Sequence, residues 1–136
     1  MSTTPALPED WQPLVEAARN VRGRAYAPYS GYAVGAAVRT SDGQIFVGCN
    51  VENASYGLTI CAERVAMSSA VAAGQQHPEV MCISLGGTPV PCGSCRQFLF
   101  QFNPGLVLLL DNAESSDPPQ TVTLDQLLPR AFRLER

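Results

Sequence analysis

The sequence contains no lysine, and all nine of its basic residues are arginines. Without a lysine the chain cannot carry out Schiff-base or pyridoxal chemistry, and it cannot form the phosphate-binding P-loop, which requires one. The formal net charge is −3 and the arginines are scattered, so the sequence shows no basic surface of the kind that binds nucleic acid. These absences exclude several enzyme classes and argue against a polynucleotide partner.

Long apolar runs are also missing, because no window approaches the roughly 18 consecutive apolar residues of a membrane-spanning helix. The first residues, MSTTPALPEDWQ, have neither a basic start nor an apolar run, so we expect no signal peptide and a cytoplasmic location. A chain of 136 residues is long enough for one well-cored domain. We therefore expect residues 1–136 to form a single domain.

The hydrophobic pattern predicts helices and strands in the order α-β-β-α-β-α-β-β, followed by a short terminal helix. The first helix is expected over residues 8–27, where Pro28 would stop it, and a turn at Asp42-Gly43 predicts a β-hairpin. This order indicates an α/β fold with a mixed five-stranded sheet and helices packed on it. The later β-α-β steps should be right-handed parallel crossovers.

Five cysteines, an odd number, with no export signal favour metal binding, catalysis or burial over a disulfide framework. Cys61 in TICAER and the pair Cys92 and Cys95 in PCGSCR each open a predicted helix that follows strands of the same sheet. Helix N-termini stabilise thiolates, and three converging thiolates form a soft pocket suited to zinc. Cys49 and Cys82 lie in apolar strands and are interpreted as buried thiols.

The single histidine, His77, could be a fourth, structural ligand, although a loop position before Pro78 favours a surface role. Without it, the metal would have three protein ligands and one open position, which is typical of a catalytic zinc. Glu63 follows Cys61 by two residues on the same first helical turn, so its carboxylate could move protons at that open position. An acidic residue is also favoured there by the helix dipole alone.

C-A-E followed about thirty residues later by P-C-x-x-C resembles the signature of the zinc-dependent deaminases. PYSGYAVGAAV, GCNVENASYGLTICAER and PCGSCRQ are similar to segments of the small homotetrameric cytidine deaminases, and the resemblance runs from residue 26 to the terminal LLPRAF. It implies a three-layer α-β-α fold, one zinc ion per chain, and hydrolysis of cytidine or deoxycytidine to uridine or deoxyuridine with release of ammonia, in pyrimidine salvage. It also implies active sites shared between the subunits of a homotetramer.

The resemblance assigns roles to particular residues. Asn50 and Glu52 would hold the ribose 3′-hydroxyl and the backbone N–H of Ala62 would bind the pyrimidine O2. Tyr32 would stack on the base where the family has phenylalanine, so its hydroxyl must find a partner. Tyr56 and Phe132 would contribute to the active sites of neighbouring subunits. Glu63 would carry a proton to ring N3 and a second proton to the leaving amine.

Three thiolates around Zn²⁺ leave a net charge of −1, which weakens the metal as a Lewis acid. Arg64 and Arg96 directly follow Glu63 and Cys95, and we expect them to offset this charge by hydrogen bonds to the sulfurs. Solvated surface arginines are the alternative interpretation.

Other functions remain open at this stage. Deaminases of cytosine-containing antibiotics or analogues, of the blasticidin S type, share the cysteine motifs, but the NVEN segment favours a nucleoside sugar. A polynucleotide deaminase would carry H-A-E and a basic groove. A structural zinc domain closed by His77 would leave Glu63 without a role, and a thiol–disulfide oxidoreductase using Cys92 and Cys95 would leave Cys61 without one.

Overall fold

A computed structural model describes residues 8–87 and 90–134. Its strands are β1 (Gly35–Thr40), β2 (Ile45–Cys49), β3 (Pro78–Leu85), β4 (Val107–Asn112) and β5 (Gln120–Thr123). Its α-helices are α1 (Gln12–Arg22), α2 (Ala62–Ala72), α3 (Gly93–Phe100) and α4 (Leu124–Leu127), and short 3₁₀ turns lie at Glu9–Trp11 and Tyr56–Leu58.

The five strands form one sheet in the order β2-β1-β3-β4-β5. Only β3 and β4 pair in parallel, with α3 in the connection between them, and the other neighbours are antiparallel. The predicted mixed sheet and its parallel β-α-β step are therefore confirmed. The hairpin of β1 and β2 also forms as predicted, and its turn contains Gly43 with φ +89°.

Alternating residues of β3 face opposite layers of helix, as the period of a strand requires. Val80 and Cys82 pack against Leu14 and Ala18 of α1 on one face. On the other face, Met81 and Ile83 join the apolar residues of α2 and α3, which include Ala66, Met67 and Leu99. This arrangement confirms the three-layer α-β-α architecture.

The first helix is shorter than predicted, because α1 ends at Arg22 rather than near residue 27. Tyr26 instead pairs as an isolated bridge with Val51, and its N–H donates to the carbonyl of Asn50 at 3.0 Å. The backbone of Tyr26 thus hydrogen-bonds to the loop after β2 instead of continuing the helix. The terminal helix, predicted over LDQLLPRAF, ends at Leu127, because Pro129 cannot continue it and Arg130 has a positive φ of 54°.

No helix in the part of the chain that the structure describes is long and apolar enough to cross a membrane.

Candidate active site

The cysteines predicted as zinc ligands lie at the starts of two helices that meet at one edge of the sheet. Cys61 is the N-cap of α2, Cys92 is the N-cap of α3, and Cys95 lies in the first turn of α3. The backbone N–H groups of a first helical turn have no partner within the helix, and together with the helix dipole they favour negative charge. Both helices therefore direct a region of positive potential at the three sulfurs.

The three Sγ atoms lie within 4.8 Å of one another. Cys61 Sγ is 3.9 Å from Cys92 Sγ, and Cys92 Sγ is 3.3 Å from Cys95 Sγ. A tetrahedral zinc ion with Zn–S bonds of about 2.3 Å requires sulfurs about 3.8 Å apart. The cluster consequently fits zinc with only small adjustments of the side chains.

The electrostatics of the cluster favour a thiolate at Cys61. A hydrogen bond from Cys95, together with the nearby Arg64, lowers the pKa of Cys61 to about 5. Arg64 Nη2 lies 3.9 Å from Cys61 Sγ and donates to the carbonyl of Thr59 at 3.2 Å. Its Nε is buried without a hydrogen-bond partner among the residues described, so a donor remains available beside the sulfurs.

Arg96 differs from the expectation that it would hydrogen-bond the sulfurs. Its Nε donates to the carbonyl of Pro91 and its Nη1 to the carbonyl of Leu127, each at 2.8 Å. Arg96 thus ties the residue before α3 to the end of α4, where the carbonyl of Leu127 has no partner within its helix. This corrects the predicted role of Arg96 as a sulfur contact.

Glu63 is 4% exposed although it is acidic, and it lies in the first turn of α2 next to Cys61. Burial is the main cause that raises the pKa of its carboxyl group above the ordinary value, and the nearby Cys61 thiolate adds to it. A buried carboxyl group with a raised pKa beside a metal cluster is suited to accepting and releasing protons.

His77 lies far from the cluster. It is exposed and immediately precedes Pro78, the first residue of β3, whereas Leu85 at the other end of that strand lines the cavity beside the cysteines. An eight-residue strand separates its ends by roughly 23 Å. His77, the possible fourth ligand, therefore lies at the opposite end of β3 from the cysteine cluster.

A cavity of about 480 Å³ opens beside the cysteines. Its lining combines Cys61 and Cys92 of the cluster with Glu63 and most of the residues predicted to contact a substrate. The lining residues are Ser30, Tyr32, Val34, Asn50, Glu52, Tyr56, Thr59, Cys61, Ala62, Glu63, Ile83, Leu85, Val90 and Cys92. Ala62 is fully buried, and as the first residue of α2 its N–H has no partner within the helix.

Asn50 and Glu52 follow β2 and fix the loop that borders the cavity. Asn50 Oδ1 accepts from the N–H of Val34 at 2.9 Å, and its Nδ2 donates to the carbonyl of Tyr32 at 2.8 Å. Glu52 accepts hydrogen bonds from the N–H of Tyr29 and from both the N–H and the hydroxyl of Ser30. The Ser30 hydroxyl is the main cause that lowers the pKa of Glu52.

The aromatic residues expected at the site differ in their positions. Tyr32 borders the cavity, and its hydroxyl donates to the carbonyl of Gly86 at 2.7 Å. Tyr56 also lines the cavity of its own chain, yet it is 90% exposed. Phe132 is 71% exposed and lies in a separate groove with Phe100 and Leu134. The structure therefore brings Tyr32 and Tyr56 to the cavity of their own chain, but not Phe132.

Comparison with known proteins agrees with this geometry. Residues 8–110 match the family model described as the cytidine and deoxycytidylate deaminase zinc-binding region. The chain belongs to this deaminase family. The matched residues include all three cysteines of the cluster and Glu63.

Members of the cytidine deaminase family resemble the chain over nearly its whole length. The cytidine deaminase of Sporosarcina psychrophila is 38% identical over 129 residues, which cover 93% of each chain. That of Mycobacterium tuberculosis H37Rv is 41% identical over 93% of this chain and 92% of its own. The crystal structure of the Burkholderia pseudomallei cytidine deaminase superposes with a TM-score of 0.83 and 45% identity, covering 88% of this chain and 97% of its own.

One residue of this deaminase-family site was missed by the sequence reasoning. Ser30 lies in PYSGY, a segment whose resemblance to the family was noted, but only Tyr32 was singled out there. A hydroxyl two residues before Tyr32 is consistent with an ST turn, and Ser30 Oγ indeed accepts from the N–H of Tyr32 at 3.0 Å. The contact of Ser30 with Glu52, in contrast, depends on the position of the loop after β2, so no local sequence pattern predicts it.

Proposed function

We propose that this protein is a zinc-dependent cytidine deaminase that hydrolyses cytidine and deoxycytidine to uridine and deoxyuridine, with release of ammonia, in pyrimidine salvage. The observation that carries the proposal is a buried glutamate beside a cluster of three cysteines, in a cavity large enough for a nucleoside. Family membership and the relatives named above support the same activity.

Cys61, Cys92 and Cys95 would hold one zinc ion per chain, and Arg64 would offset part of the charge of their thiolates. When bound, zinc supplies a water of lowered pKa that can attack carbon near neutral pH. The protein's own contribution at the reacting atoms is proton transfer. Its geometry and raised pKa make Glu63 the group that performs this transfer.

Glu63 takes a proton from the attacking water and delivers it to ring N3, so that C4 becomes electrophilic and the C4–O bond forms. It then takes the remaining proton of the added hydroxyl and delivers it to the 4-amino group. The C4–N bond breaks, ammonia leaves, and the carbonyl of the uracil base remains. One carboxyl group can serve both as base and as acid because burial keeps water away from it.

The walls of the cavity would orient the nucleoside for this transfer. Asn50 and Glu52 would hold the ribose 3′-hydroxyl, and the free N–H of Ala62 would bind the pyrimidine O2. The ring of Tyr32 would stack on the base, with Tyr56 at the open side of the cavity. The hydrogen bonds that Glu52 accepts from Ser30 and Tyr29 support this role, because they fix its carboxylate in advance of binding.

We further propose that residues 1–136 form one catalytic domain that works as a homotetramer in the cytoplasm. The exposed aromatic side chains of Tyr56 and Phe132 support assembly, because aromatic residues are enriched at subunit interfaces relative to the rest of a protein surface. The five cysteines are all free, which suits a reducing compartment.

The proposal is tested by adding cytidine to the purified protein and measuring ammonia release, the ultraviolet change and the zinc content. Glu63→Gln should retain one zinc per chain yet lose about a thousandfold in kcat, because the general acid and base is removed. Glu16→Gln, the same change at an exposed position of α1, is the matched control and should retain activity.

A native protein with one zinc per chain that leaves both nucleosides unchanged would show that the proposed substrate is wrong. Turnover of blasticidin S or another cytosine analogue would then favour the alternative deaminase. Full activity of zinc-loaded Glu63→Gln would instead overturn the mechanism.

A further inference from the structure

The hydroxyl of Tyr32 joins two separate segments that border the active-site cavity. It donates to the carbonyl of Gly86 at 2.7 Å, across 54 positions of sequence. Gly86 is the first residue after β3, and Tyr32 lies in the loop before β1. The hydrogen bond therefore joins the loop that carries PYSGY to the residue that directly follows β3.

The backbone of Tyr32 is itself fixed by two hydrogen bonds, so its hydroxyl can hold Gly86 in a defined position. Its N–H donates to Ser30 Oγ at 3.0 Å, and its carbonyl accepts from Asn50 Nδ2 at 2.8 Å. The Ser30 hydroxyl in turn donates to Glu52. A continuous series of hydrogen bonds thus runs from Glu52, on the proposed sugar side of the cavity, to Gly86 on the opposite side.

Gly86 packs against the side chain of Glu114, and neither Gly86 nor Gly87 belongs to a strand. They lie beyond the last paired residue of β3, and Gly87 has a φ of +102°. The N–H of Gly87 donates to Asn112 Oδ1 at 3.1 Å, which fixes this segment to the end of β4. Tyr32 supplies the corresponding attachment on the side of the cavity, since its hydroxyl lies 3.6 Å from the position that a Cβ of Gly87 would occupy.

Burial does not force the Tyr32 hydroxyl to form this hydrogen bond with Gly86. Tyr32 is 52% exposed, so water could satisfy its hydroxyl at little cost. A hydroxyl that nonetheless donates to a carbonyl across the cavity contributes mainly by restricting the two segments. Restricting a binding site in its competent form lowers the cost of ordering it when a ligand arrives.

We propose that the hydroxyl of Tyr32 is a positioning group that fixes Gly86 and Gly87 against the PYSGY loop and so sets the width of the cavity before the nucleoside binds. The effect on nucleoside binding rests on the proposed deaminase function, whereas the attachment itself does not. The aromatic ring and the hydroxyl thus have separate roles, and a change to phenylalanine separates them.

The test compares Tyr32→Phe with Tyr26→Phe. The hydroxyl of Tyr26 makes no hydrogen bond within residues 8–87 and 90–134, and its side chain is likewise more than half exposed, so it is a matched control for loss of one phenolic oxygen. In the zinc-loaded protein without nucleoside, Tyr32→Phe should accelerate hydrogen exchange of the Gly87 amide, whose N–H donates to Asn112, by about twofold to tenfold, the effect of one neutral hydrogen bond. The control should leave this exchange unchanged.

With cytidine, Tyr32→Phe should raise KM by about twofold to tenfold, while kcat changes less than KM, because the stacking ring and Glu63 remain. Unchanged amide exchange would overturn the proposal, as would faster exchange with an unchanged KM in an active enzyme. If the native protein turns over no nucleoside, the deaminase function fails, and the exchange measurement alone then decides whether Tyr32 fixes Gly86 and Gly87.

Discussion

The ionisation of Glu52 depends on a single neighbouring side chain. The hydroxyl of Ser30 is the largest cause that lowers the pKa of this carboxyl group, ahead of the N–H of Ser30 and that of Tyr29. A lowered pKa means that Glu52 stays ionised to a lower pH than an ordinary glutamate. The carboxylate, which can only accept hydrogen bonds, is the form suited to holding a ribose hydroxyl.

We predict that Ser30→Ala raises the pKa of Glu52 toward its ordinary value, because the strongest donor is lost while the two N–H donors remain. The stability that Glu52 contributes is present above its unfolded-state pKa and is lost as the pH falls through the folded-state pKa. In Ser30→Ala this contribution should be smaller, and its loss should be complete at a higher pH. The measurement is an NMR titration of the Glu52 carboxyl carbon, which needs no turnover, with Ser115→Ala as a control at a distant serine.

An unchanged titration of Glu52 in Ser30→Ala would contradict this prediction. A parallel pH profile of kcat/KM for cytidine should move its acid limb in the same direction, if Glu52 binds the sugar in its ionised form.

Single residues with strong local signals could be predicted from the sequence, and those that depend on distant partners could not. The spacing of Cys92 and Cys95 and the motif around Cys61 were enough to predict the cluster that the structure contains. Arg96 was assigned to the sulfurs because of its neighbour in sequence, yet its guanidinium reaches the carbonyl of Leu127, 31 residues away. Adjacency on a helix does not determine the direction of a long side chain.

At the scale of elements, the location of α2 depends on the absence of a side chain at Gly48. A Cβ at this position in β2 would overlap the backbone N of Ala66 and lie 2.7 Å from the carbonyl oxygen of Ala62. The helix that carries Cys61 and Glu63 thus packs directly on the strand. Gly35 in β1 has the same relation to the helix on the other face, because its Cβ would overlap the carbonyl of Ala18 in α1.

We predict that Gly48→Ala and Gly35→Ala each lower the free energy of unfolding by about 1–3 kcal/mol, because backbone must move to admit the methyl group. Only Gly48→Ala displaces the helix of the metal cluster, and it should weaken zinc binding by about tenfold. The measurements are urea unfolding at one protein concentration and competition for zinc with a chromogenic chelator. Equal zinc affinities in the two variants would contradict the proposed link between Gly48 and the site.

The elements were predicted well where hydrophobic periodicity is strong and less well at their ends. The apolar runs of β3 and β4 are sufficient to predict two buried strands and their parallel pairing. The end of α1 was not predictable, because helical spacing continues past Arg22 in the sequence. The bridge between Tyr26 and Val51, which pairs the chain shortly after the helix, joins segments 25 residues apart. Such tertiary pairing overrides local propensity.

For the whole molecule, the position of Phe132 bears on whether one chain forms a complete active site. Glu63 is buried in the cavity of its own chain, whereas Phe132 is exposed and lies in a separate groove. If Phe132 contributes to catalysis, as the homotetramer proposal implies, it must do so in the cavity of another subunit. Each site would then combine residues from two chains related by symmetry.

We predict that two defective variants complement each other when they are co-expressed and assembled together. Glu63→Gln alone should be almost inactive, and Phe132→Ala alone should retain about a tenth of native kcat/KM, because it loses one aromatic contact. In a random mixture, about a quarter of the sites would combine an intact Glu63 with an intact Phe132 from the partner chain. Activity should therefore rise to about a quarter of the native value, several times the mean of the separate variants.

The size of this recovery distinguishes the two arrangements. If Phe132 acted in the site of its own chain, no mixed assembly would contain a site with both native residues, and activity would equal the mean of the two variants. The comparison requires that both variants assemble like the native protein, which sedimentation measures directly. Recovery would then show that the exposed position of Phe132 reflects a catalytic unit larger than one chain.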